Sequence, residues 1–592
     1  MAAKTTAQAG DWNTGATWTG GVKAGNGDTA TINHAVTVST SEIVGTSPAS
    51  DTTVVLTVAT AGSLTVTSTG NLKVRGATQI QDTTITVNGD GVFEIDASQA
   101  GSPSTRRYNV IIGSANNQGN AYFVGNGSSG HAAIVRSNSG GAAGCFKGGQ
   151  IWTRGGKFKL TYTDLTKIGD GTNQSFDFDL NSSASDSCWA DNCIFDNCAG
   201  IYNGGGAVHD SAVFRLLRTT FKNSGSNLTA RFGSNLTLGT GTRSVTFCVF
   251  DTQPTILNAT GFTIDDNIFY LAPAFIGTAA TSTARNLIRL TSGVAPMTTT
   301  GTLTDCYALY NETITNPHFF GPDSGGTSHN YDGVIFEFTG TDGQGDCILP
   351  QTPGSALTWR AIDCIVLPNS TGTAMTGSLF TLGGNANVTI SEEHCTVFVD
   401  GVNSGIVTGE GSYAGHAGMI DYMKSNIHWG VNGGNGFKIY GSTDTTPANN
   451  ICAAAEADWN CGFNLAAGEE LKGYDIPMTG TPGAHDVDTD PNFVEPERNA
   501  AAFDGSLGGP GTVANLLTEL MKLNDRAGYN TAYNVPDLLQ YVREGFIPQT
   551  ASVRVGSETG TVIGAVQDDA PSSGVIQMVT LMAIGDEISW QV

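Results

Sequence analysis

The chain has 592 residues, of which 78 are glycine and only 14% are charged, a composition typical of many short strands joined by tight turns. Its formal net charge of −25 excludes a protein that binds nucleic acid or anionic membranes through a broad basic surface. The eleven cysteines are odd in number and show no CxxC pair, and a disulfide framework is typical of short secreted chains, so we expect none in this long chain.

Residues 1–105 predict an N-terminal β cap followed by the first coils of a larger β structure. The stretches "GSLTVTSTGNLKVRG" and "TTITVNGDGVFEIDAS" alternate apolar and polar residues, which indicates strands with one buried face and one wet face. Trp12 and Trp18 precede these strands. Because the first strands of a stack leave their edges open, we expect these two aromatic residues to cover that end.

Residues 106–490 carry a recurring short motif, seen first as "DNCIF", in which a polar turn precedes a few apolar residues. The apolar runs are bounded by Gly, Asn, Asp and Ser, which is typical of short strands rather than helices. The mean interval is about 29 residues, within the range typical of solenoids. The motif is centred at Cys193, Thr220, Cys248, Asn267, Cys306, Gly333, Cys364, Cys395, Asn426 and Asn450.

Three short strands with their turns account for a repeat of this length. The sequence therefore predicts an all-β fold, a right-handed, single-stranded parallel β-helix with coils about 4.8 Å apart. The 19-residue interval after Cys248 predicts a shortened coil, and the 39-residue interval after Asn267 predicts a loop insertion. We expect two kinds of interior stack at one turn: thiols of Cys193, Cys306, Cys364 and Cys395, and amides of Asn267, Asn426 and Asn450.

Residues 491–570 predict a helical insertion and closing module, which forms a small C-terminal cap. The segment "TVANLLTELMKLNDRAG" and the segment "NVPDLLQYVREGF" have helical patterns, and the second has Asn534 as its N-cap. We expect these helices to cover the last coil. Residues 571–592 predict a terminal β segment, and its apolar stretch Val575–Met582 is expected to be buried in an oligomer or paired within its own chain.

Several short motifs in this region resemble a known family. "DPNF" at Asp490–Phe493, "GGPGTVANLL", "GFIPQTASVR" and "IGAV" at Ile563–Val566 resemble the C-terminal module of right-handed β-helix proteins encoded by tailed bacteriophages. The opening "GDWNTGATWTGGV" is similar to the start of many such proteins, while the middle of the chain matches them only in style. The resemblance implies a virion protein of the tail spike or tail fibre type and brings no catalytic motif.

Two classes of function remain open. The first is a structural virion protein, a rigid homo-oligomer, expected as a trimer, that binds other virion proteins and contacts host surface polysaccharide; a capsid decoration fibre is a variant of it. In that role Trp359, Trp429 and Tyr440 could stack on sugars, although they could equally lie in the core. The second is a polysaccharide depolymerase, a glycoside hydrolase or lyase, on the same scaffold. The absence of a catalytic motif favours the first.

Candidate catalytic residues are carboxyl pairs, because glycoside hydrolysis uses two carboxyl groups about 5–10 Å apart. Neighbouring coils could supply Asp265 with Asp305, or Asp363 with Glu392 and Glu393. Asp before a strand is also common turn chemistry, so turn or surface roles are favoured for these residues.

Metal and cofactor sites are weakly indicated. Asp486, Asp488, Asp490 and Glu497 match positions 1, 3, 5 and 12 of a calcium loop, but Pro491 stands where glycine is needed. Cys188, Cys193 and Cys198 are close enough in sequence for zinc, although buried free thiols are the simpler interpretation. No phosphate-binding or dinucleotide fingerprint occurs, so we expect no cofactor. The chain also lacks a signal peptide core and a long apolar run, so we expect synthesis in a host cytoplasm and no membrane insertion.

Overall fold

The computed structural model describes the strands and corners of a repeated β structure together with part of the C-terminal region. The described residues are 2–46, 53–96, 110–112, 121–137, 146–148, 156–168, 176–178, 187–198, 201–202, 213–222, 231–233, 243–251, 255–257, 262–270, 274–276, 282–290, 301–310, 318–320, 329–339, 345–348, 357–367, 377–382, 388–399, 404–408, 420–439, 457–465, 484–503, 534–554, 557 and 562–566. The chain forms two compact units, Met1–Thr302 with Leu517–Tyr533, and Leu303–Leu516 with Asn534–Val592.

The first unit is a stack of parallel strands in which the chain visits three sheets in turn and then begins the next coil. The first sheet contains Ala3–Thr5, Thr29–Ile32, Val54–Val58, Ala77–Ile80, Val110–Ile112, Phe146–Gly148, Phe176–Phe178 and Ile201–Tyr202, and a short sheet follows with Arg231–Gly233, Thr255–Leu257 and Ala274–Ile276. The second contains Gly10–Asp11, Ala35–Val38, Ser63–Val66, Thr84–Asn88, Ala121–Asn126, Gly156–Thr161, Ser187–Asp191, Val213–Leu217, Arg243–Thr246, Phe262–Asp265 and Ser282–Ala284. The third contains Ser41–Gly45, Asn71–Arg75, Val92–Ile95, Ala133–Ser137, Thr163–Thr166, Ile194–Asp196, Thr220–Lys222, Val249–Phe250, Ile268–Phe269 and Leu287–Leu290.

The second unit repeats this path. Strands of the second-sheet type are Gly301–Thr304, His329–Asp332, Leu357–Ile362, Val388–Glu393, Ile420–Lys424 and Ala457–Asp458. Strands of the third-sheet type are Tyr307–Tyr310, Ile335–Phe338, Ile365–Val366, Thr396–Val399, Ile427–Ile439, Cys461–Leu465 and Val487–Asp488. A further sheet contains His318–Phe320, Gly345–Ile348, Gly377–Leu382 and Ser404–Thr408, the last paired with the end of Ile427–Ile439. All of these pairings are parallel, so the predicted parallel β-helix is confirmed.

The strands form because apolar and polar residues alternate along them. In Ser63–Val66 the side chains of Leu64 and Val66 are buried, whereas those of Ser63 and Thr65 are partly exposed. Leu64 pairs with Ile85 of the next coil, and both face the interior. Each such aliphatic side chain contributes roughly 1.5–3 kcal/mol when it is fully buried, so the coils stabilise one another through their inner faces.

One interior position follows the corner between the second-sheet and third-sheet strands and is stacked from coil to coil. In the first unit it is occupied by Cys193, Thr219, Cys248, Asn267 and Asn286. In the second unit it is occupied by Cys306, Val334, Cys364, Cys395, Asn426, Asn460 and then Asp486. The predicted stack of thiols and amides is therefore present, and the eight cysteines whose side chains are described are buried thiols outside any disulfide.

The structure corrects the predicted register at four positions. Thr220 and Gly333 each lie one residue away from the stacked position, which belongs to Thr219 and Val334. The 39-residue interval contains a further short coil at Asn286, not a loop insertion. Asn450 lies outside the described residues, and the stacked amide is that of Asn460.

The buried side-chain amides form hydrogen bonds with backbone groups that would otherwise have no partner at the corner. The Asn426 side chain accepts a hydrogen bond from the Cys395 backbone N–H at 2.8 Å and donates one to the Glu392 carbonyl at 3.1 Å. Asn460 accepts in the same way from Asn426, at 3.0 Å. Because every buried N–H and carbonyl needs a partner, this ladder holds successive corners in register.

The N-terminal strands pack beside two buried tryptophans. The rings of Trp12 and Trp18 meet edge to face with centroids 4.8 Å apart. The indole N–H of Trp12 donates to the Ala24 carbonyl, and that of Trp18 donates to the Trp12 carbonyl. Two short 3-10 turns, Gly15–Thr17 and Thr19–Gly21, shape this segment. Both rings are thus buried next to the first strands, where a cover was expected.

The C-terminal region of the second unit contains two described helices, α1 (Val535–Gly545) and α2 (Ala551–Arg554). The side chain of Asn534 caps α1 by accepting from the Asp537 N–H, as its sequence predicts. The other predicted helix, "TVANLLTELMKLNDRAG", and the terminal segment 571–592 lie outside the described residues. Neither described helix has the length and apolar character needed to cross a membrane.

The C-terminal region does not lie where we expected it, over the last coil. After Val487–Asp488 extends the third sheet, the chain runs back along the side of the stack. Phe493 packs against Trp429 with centroids 5.5 Å apart, and the Ala500 N–H reaches the Glu337 carboxylate at 3.0 Å. Helix α1 lies against the flank of the coils, because its Arg543 contacts Asp305 and Gly333, which belong to coils far from the last one.

Candidate functional site

Most of the predicted acidic residues lie at or beside the corners between second-sheet and third-sheet strands. In each coil of the second unit, one corner residue has a positive φ, between +51° and +66°. Its N–H donates to the next coil, as Asp363 donates to the Glu393 carbonyl at 3.0 Å. The corner residues are Asp305, Gly333, Asp363, His394, Ser425 and Trp459. Asp and Asn tolerate this conformation better than most residues, which accounts for two of the acids.

Four carboxyl groups occupy neighbouring coils at this edge, and we call them the acidic corner: Asp305, Asp332, Asp363 and Glu393. Asp332 and Glu393 are the last residues of their strands, and Asp305 and Asp363 follow the ends of theirs. All four side chains are partly exposed. The coil spacing of about 4.8 Å brings these like charges close enough to repel one another.

Two arginines partly neutralise the acidic corner. Arg543 of α1 donates to the Asp305 carboxylate at 2.6 Å and to the Gly333 carbonyl at 2.6 Å. Arg360, on the strand before Asp363, forms an ion pair with Glu393. The coils therefore supply the cation that pairs with Glu393, and α1 supplies the cation that pairs with Asp305.

The acidic corner shifts the pKa values of two of its members. Burial, together with the charges of Asp332, Glu393 and Asp305, raises the pKa of Asp363 to about 7, while the charge of Arg543 opposes the shift. Burial, followed by the charge of Asp305, also raises the pKa of Asp332. A carboxyl group with a pKa near neutral pH, beside a second carboxyl group, is an arrangement that suits general acid catalysis.

The structure separates the predicted trio of Asp363, Glu392 and Glu393. Adjacent strand residues point to opposite faces, so Glu393 joins the acidic corner while Glu392 points into the core. The Glu392 carboxylate is completely buried and lies 3.0 Å from the Nε2 atom of His428, which is also buried. Glu392 is therefore a core residue, and we correct its assignment as a catalytic candidate.

Asp265 and Asp305 also do not form the predicted pair of neighbouring coils. The coil at Asn286 lies between them along the chain, and Asp265 belongs to the first unit whereas Asp305 belongs to the second. Asp265 accepts from the Ser282 hydroxyl at 2.8 Å and from the Ala284 N–H at 2.9 Å. It therefore connects its own coil to the next one.

The four residues of the possible calcium loop have separate roles. Asp486 accepts from the Asn460 N–H at 2.7 Å and continues the interior ladder, while Asp488 lies in a strand paired with Cys461–Leu465. Asp490 accepts from the Asn492 N–H at 2.8 Å, and Glu497 is exposed. Within the described ranges, no three metal-ligating side chains come together.

Two of the three aromatic residues considered for sugar stacking pack against other aromatic side chains of the protein. Trp359 is completely buried, with its ring centroid 4.3 Å from that of His329. Trp429 is partly exposed but lies between Phe398 and Phe493. Tyr440 lies outside the described residues. Trp359 is thus a core residue, because it occupies an inward position of its strand.

Two further acids near the C-terminal region were not identified from the sequence. Asp332 ends a strand directly before the corner glycine, and "YDG" was a visible signal for it. Glu337 is completely buried, and its carboxylate accepts from the Tyr307 hydroxyl and from the Ala500 N–H. Burial raises the pKa of Glu337 to about 7. Nothing local in "VIFEF" distinguishes this glutamate from a surface residue.

Comparisons with known proteins add no identification to this geometry. No protein-family model, no curated protein and no solved structure matches the chain.

Proposed function

We propose that the protein is a structural virion protein of a tailed bacteriophage, a rigid spike-like or fibre-like rod that attaches to host surface glycans. The observation that carries this proposal is the engagement of the candidate acids in structural contacts. Arg543 forms an ion pair with Asp305, and Arg360 forms one with Glu393. The imidazole of His428 lies 3.0 Å from the Glu392 carboxylate. Among the described residues these contacts stabilise the stack of coils and engage three of the candidate acids, Asp305, Glu392 and Glu393.

The C-terminal region supports the same proposal. Two described parts of the segment that resembles phage β-helix proteins, Asp490–Phe493 and Ile563–Val566, contact the coils. The N–H of Gly564 donates to the Ser425 carbonyl at 2.7 Å, and that of Ala565 donates to the Thr396 hydroxyl at 3.0 Å. A segment so tightly joined to the β-helix suits a rigid structural part. Assembly as a homotrimer with other virion proteins, in the tail or as a capsid decoration fibre, belongs to this proposal.

A polysaccharide depolymerase is the second candidate, and one observation favours it. Asp363, with its pKa raised to about 7, lies beside the ionisable Glu393 on the same edge. In such an enzyme Asp363 would protonate the leaving oxygen and Glu393 would act as the base or nucleophile. Against this role, Arg543 and α1 lie close to the same edge, where a bound polysaccharide would have to fit.

The test compares binding with cleavage. Purified protein is incubated with surface polysaccharide from the host, and both retention of the polysaccharide and its chain length are measured. Binding with unchanged length supports the attachment protein. Shortening that disappears in Asp363→Asn and in Glu393→Gln, but not in the exposed control Asp421→Asn, assigns a depolymerase instead. Absence of both binding and shortening overturns attachment, and labelling of purified virions with an antibody to the protein then decides whether it is a virion component at all.

A further inference from the structure

One outward column of the second sheet in the first unit changes its chemistry along the stack. The side chains of this column alternate with buried ones such as Phe123, Leu160 and Ala190, so they lie on the outer face. Most of the column is Thr and Ser, which is neutral. Three consecutive coils in its middle instead carry Lys, Trp and Arg. The column runs Thr37, Thr65, Thr86, Val124, Lys159, Trp189, Arg215, Ser244 and Thr263.

These side chains contact one another as alternating cations and rings. The Lys159 ammonium lies 5.3 Å and the Arg215 guanidinium 5.2 Å from the centre of the Trp189 ring. Two residues earlier on the same strands, the Lys157 ammonium lies 4.9 Å from the centre of the Tyr122 ring and 3.0 Å from its hydroxyl. We call these five residues the basic-aromatic face. Cation–ring contacts hold the positive charges in place without neutralising them.

Two cations of this face differ from the ion-paired basic residues of the described part of the chain. In the described part of the chain, neither Lys159 nor Arg215 has a carboxylate partner. The nearest acid of the same strand, Asp191, is already bound by Arg218. Nine basic side chains elsewhere in the described part are ion-paired, in Lys23–Glu42, Lys73–Glu94, Arg75–Asp96, Arg136–Glu94, Arg218–Asp191, Arg285–Asp266, Arg360–Glu393, Arg498–Glu544 and Arg543–Asp305.

The grouping of cations that have no carboxylate partner among the described residues indicates a surface that binds an external anion. The chain has 53 acidic and 28 basic residues, so carboxylates are abundant and most cations can find one. Lys157, Lys159 and Arg215 instead stand together on one face, where their mutual repulsion is relieved when a negatively charged molecule binds. The exposed Lys159 is accessible to such a molecule, and Trp189 is partly exposed beside it.

We propose that the basic-aromatic face binds an acidic polysaccharide, in which carboxylates recur along a chain of sugar rings. The cations of Lys159 and Arg215 are two coils apart, about 10 Å, so they suit charges spread along a polymer rather than one compact anion. The rings of Tyr122 and Trp189 offer apolar edges with polar tips, which suit the mixed surface of a sugar. This inference rests on the proposed attachment function and names the chemistry of the glycan.

Nucleic acid fits this face less well. Its binding requires many cations, since each phosphate contact releases counterions and adds to affinity, and this face offers three. The net charge of −25 also opposes the binding of a densely charged nucleic acid. A polyuronate carries only one charge per sugar and is repelled less.

The test uses the full chain with alginate as the acidic probe, dextran as the neutral probe and single-stranded DNA as the competing polyanion. We expect alginate to bind more tightly than dextran or DNA and its binding to weaken as salt is raised. Lys159→Gln with Arg215→Gln should raise the Kd for alginate about tenfold, as expected for two lost charge contacts. The matched control, Lys4→Gln with Lys222→Gln, removes the same charge elsewhere and should leave the Kd within about twofold.

Three outcomes would overturn the inference. The variant Lys159→Gln with Arg215→Gln, here called the patch variant, could bind alginate as tightly as the wild type does. The wild type could bind dextran as tightly as alginate, or DNA more tightly than alginate. A cell-binding assay separates this inference from the proposed function. Host cells that retain the patch variant as well as the wild type would leave attachment standing and remove this face from it. Alginate binding by a protein that attaches to no host cell would preserve the face and remove the attachment function.

Discussion

At the scale of single residues, the corner between the second and third sheets decides which residue types recur along the chain. In the second unit each described corner has one residue with positive φ, a conformation that costs roughly 1–2 kcal/mol for most side chains. Asp305 and Asp363 meet this requirement at a lower cost than the bulkier His394 and Trp459 do. The acidity of this edge is therefore, in the first place, a consequence of backbone geometry.

Gly333 is the corner residue where a side chain should be least tolerated. An added Cβ would lie 2.5 Å from the Asp305 carboxylate and 2.6 Å from the Arg543 guanidinium, at a φ of +66°. We expect Gly333→Ala to lower the free energy of unfolding by about 1 kcal/mol more than Gly130→Ala, whose φ is +79° but whose Cβ meets nothing within 4 Å. Urea unfolding of both variants measures the difference. Equal losses would show that Arg543 is not held at this corner.

At the scale of elements, two acids of the coils have raised pKa values and lie close to residues of the C-terminal region. Asp363 lies at the acidic corner near Arg543, and Glu337 lies beneath Ala500. Burial is the main cause for both, and each pKa is about 7. The groups that face Asp363 are Asp332, Asp305, Glu393, Arg543 and Arg360, and those that face Glu337 are the Tyr307 hydroxyl and the Ala500 N–H.

These two acids predict that stability decreases as pH rises. In the unfolded chain both titrate near pH 4, so between about pH 4 and 7 the folded protein holds more protons than the unfolded one. The free energy of unfolding must therefore fall through this window and level off above about pH 7. Thermal unfolding at pH 5, 6, 7 and 8 measures the slope. Asp363→Asn with Glu337→Gln should flatten it, whereas Asp421→Asn should not; an unchanged slope in the double variant would contradict this assignment.

At the scale of the whole molecule, coils interact mainly with their neighbours, so stability should be close to a sum over coils. The short coil between Asn267 and Asn286 allows a direct test in the first unit. Deleting residues 267–285 places Asn286 directly after Asp266 and preserves the corner. We expect this variant to fold with parallel β content, measured by circular dichroism, and a Tm within a few degrees of wild type. Deleting only 267–276 removes a fraction of a coil and should prevent folding of the stack; equal behaviour of the two deletions would refute modularity.

Much of this architecture is predictable from the sequence, because each coil repeats the same local chemistry. The polar turn before a buried pair located the corner at Cys193, Cys364 and Asn426 without structural help. The coil at Asn286 escaped notice because its polar residue is preceded by "TAR", which lacks the Asp or Asn of most repeats. The flank position of α1 could not be predicted, since no local pattern specifies a contact between residues far apart in sequence.

The salt bridge between Arg543 and Asp305 spans 238 residues, and this separation orders events during synthesis. Loop closure over such a distance is costly until the intervening coils have stacked and brought the two ends together. The arginine also emerges from the ribosome long after Asp305, Asp332 and Asp363. Until then these carboxylates face one another without it. Synthesis of α1 thus supplies a second cation after the coils have formed, and until then Arg360 is the one described cation that is ion-paired with this acidic edge.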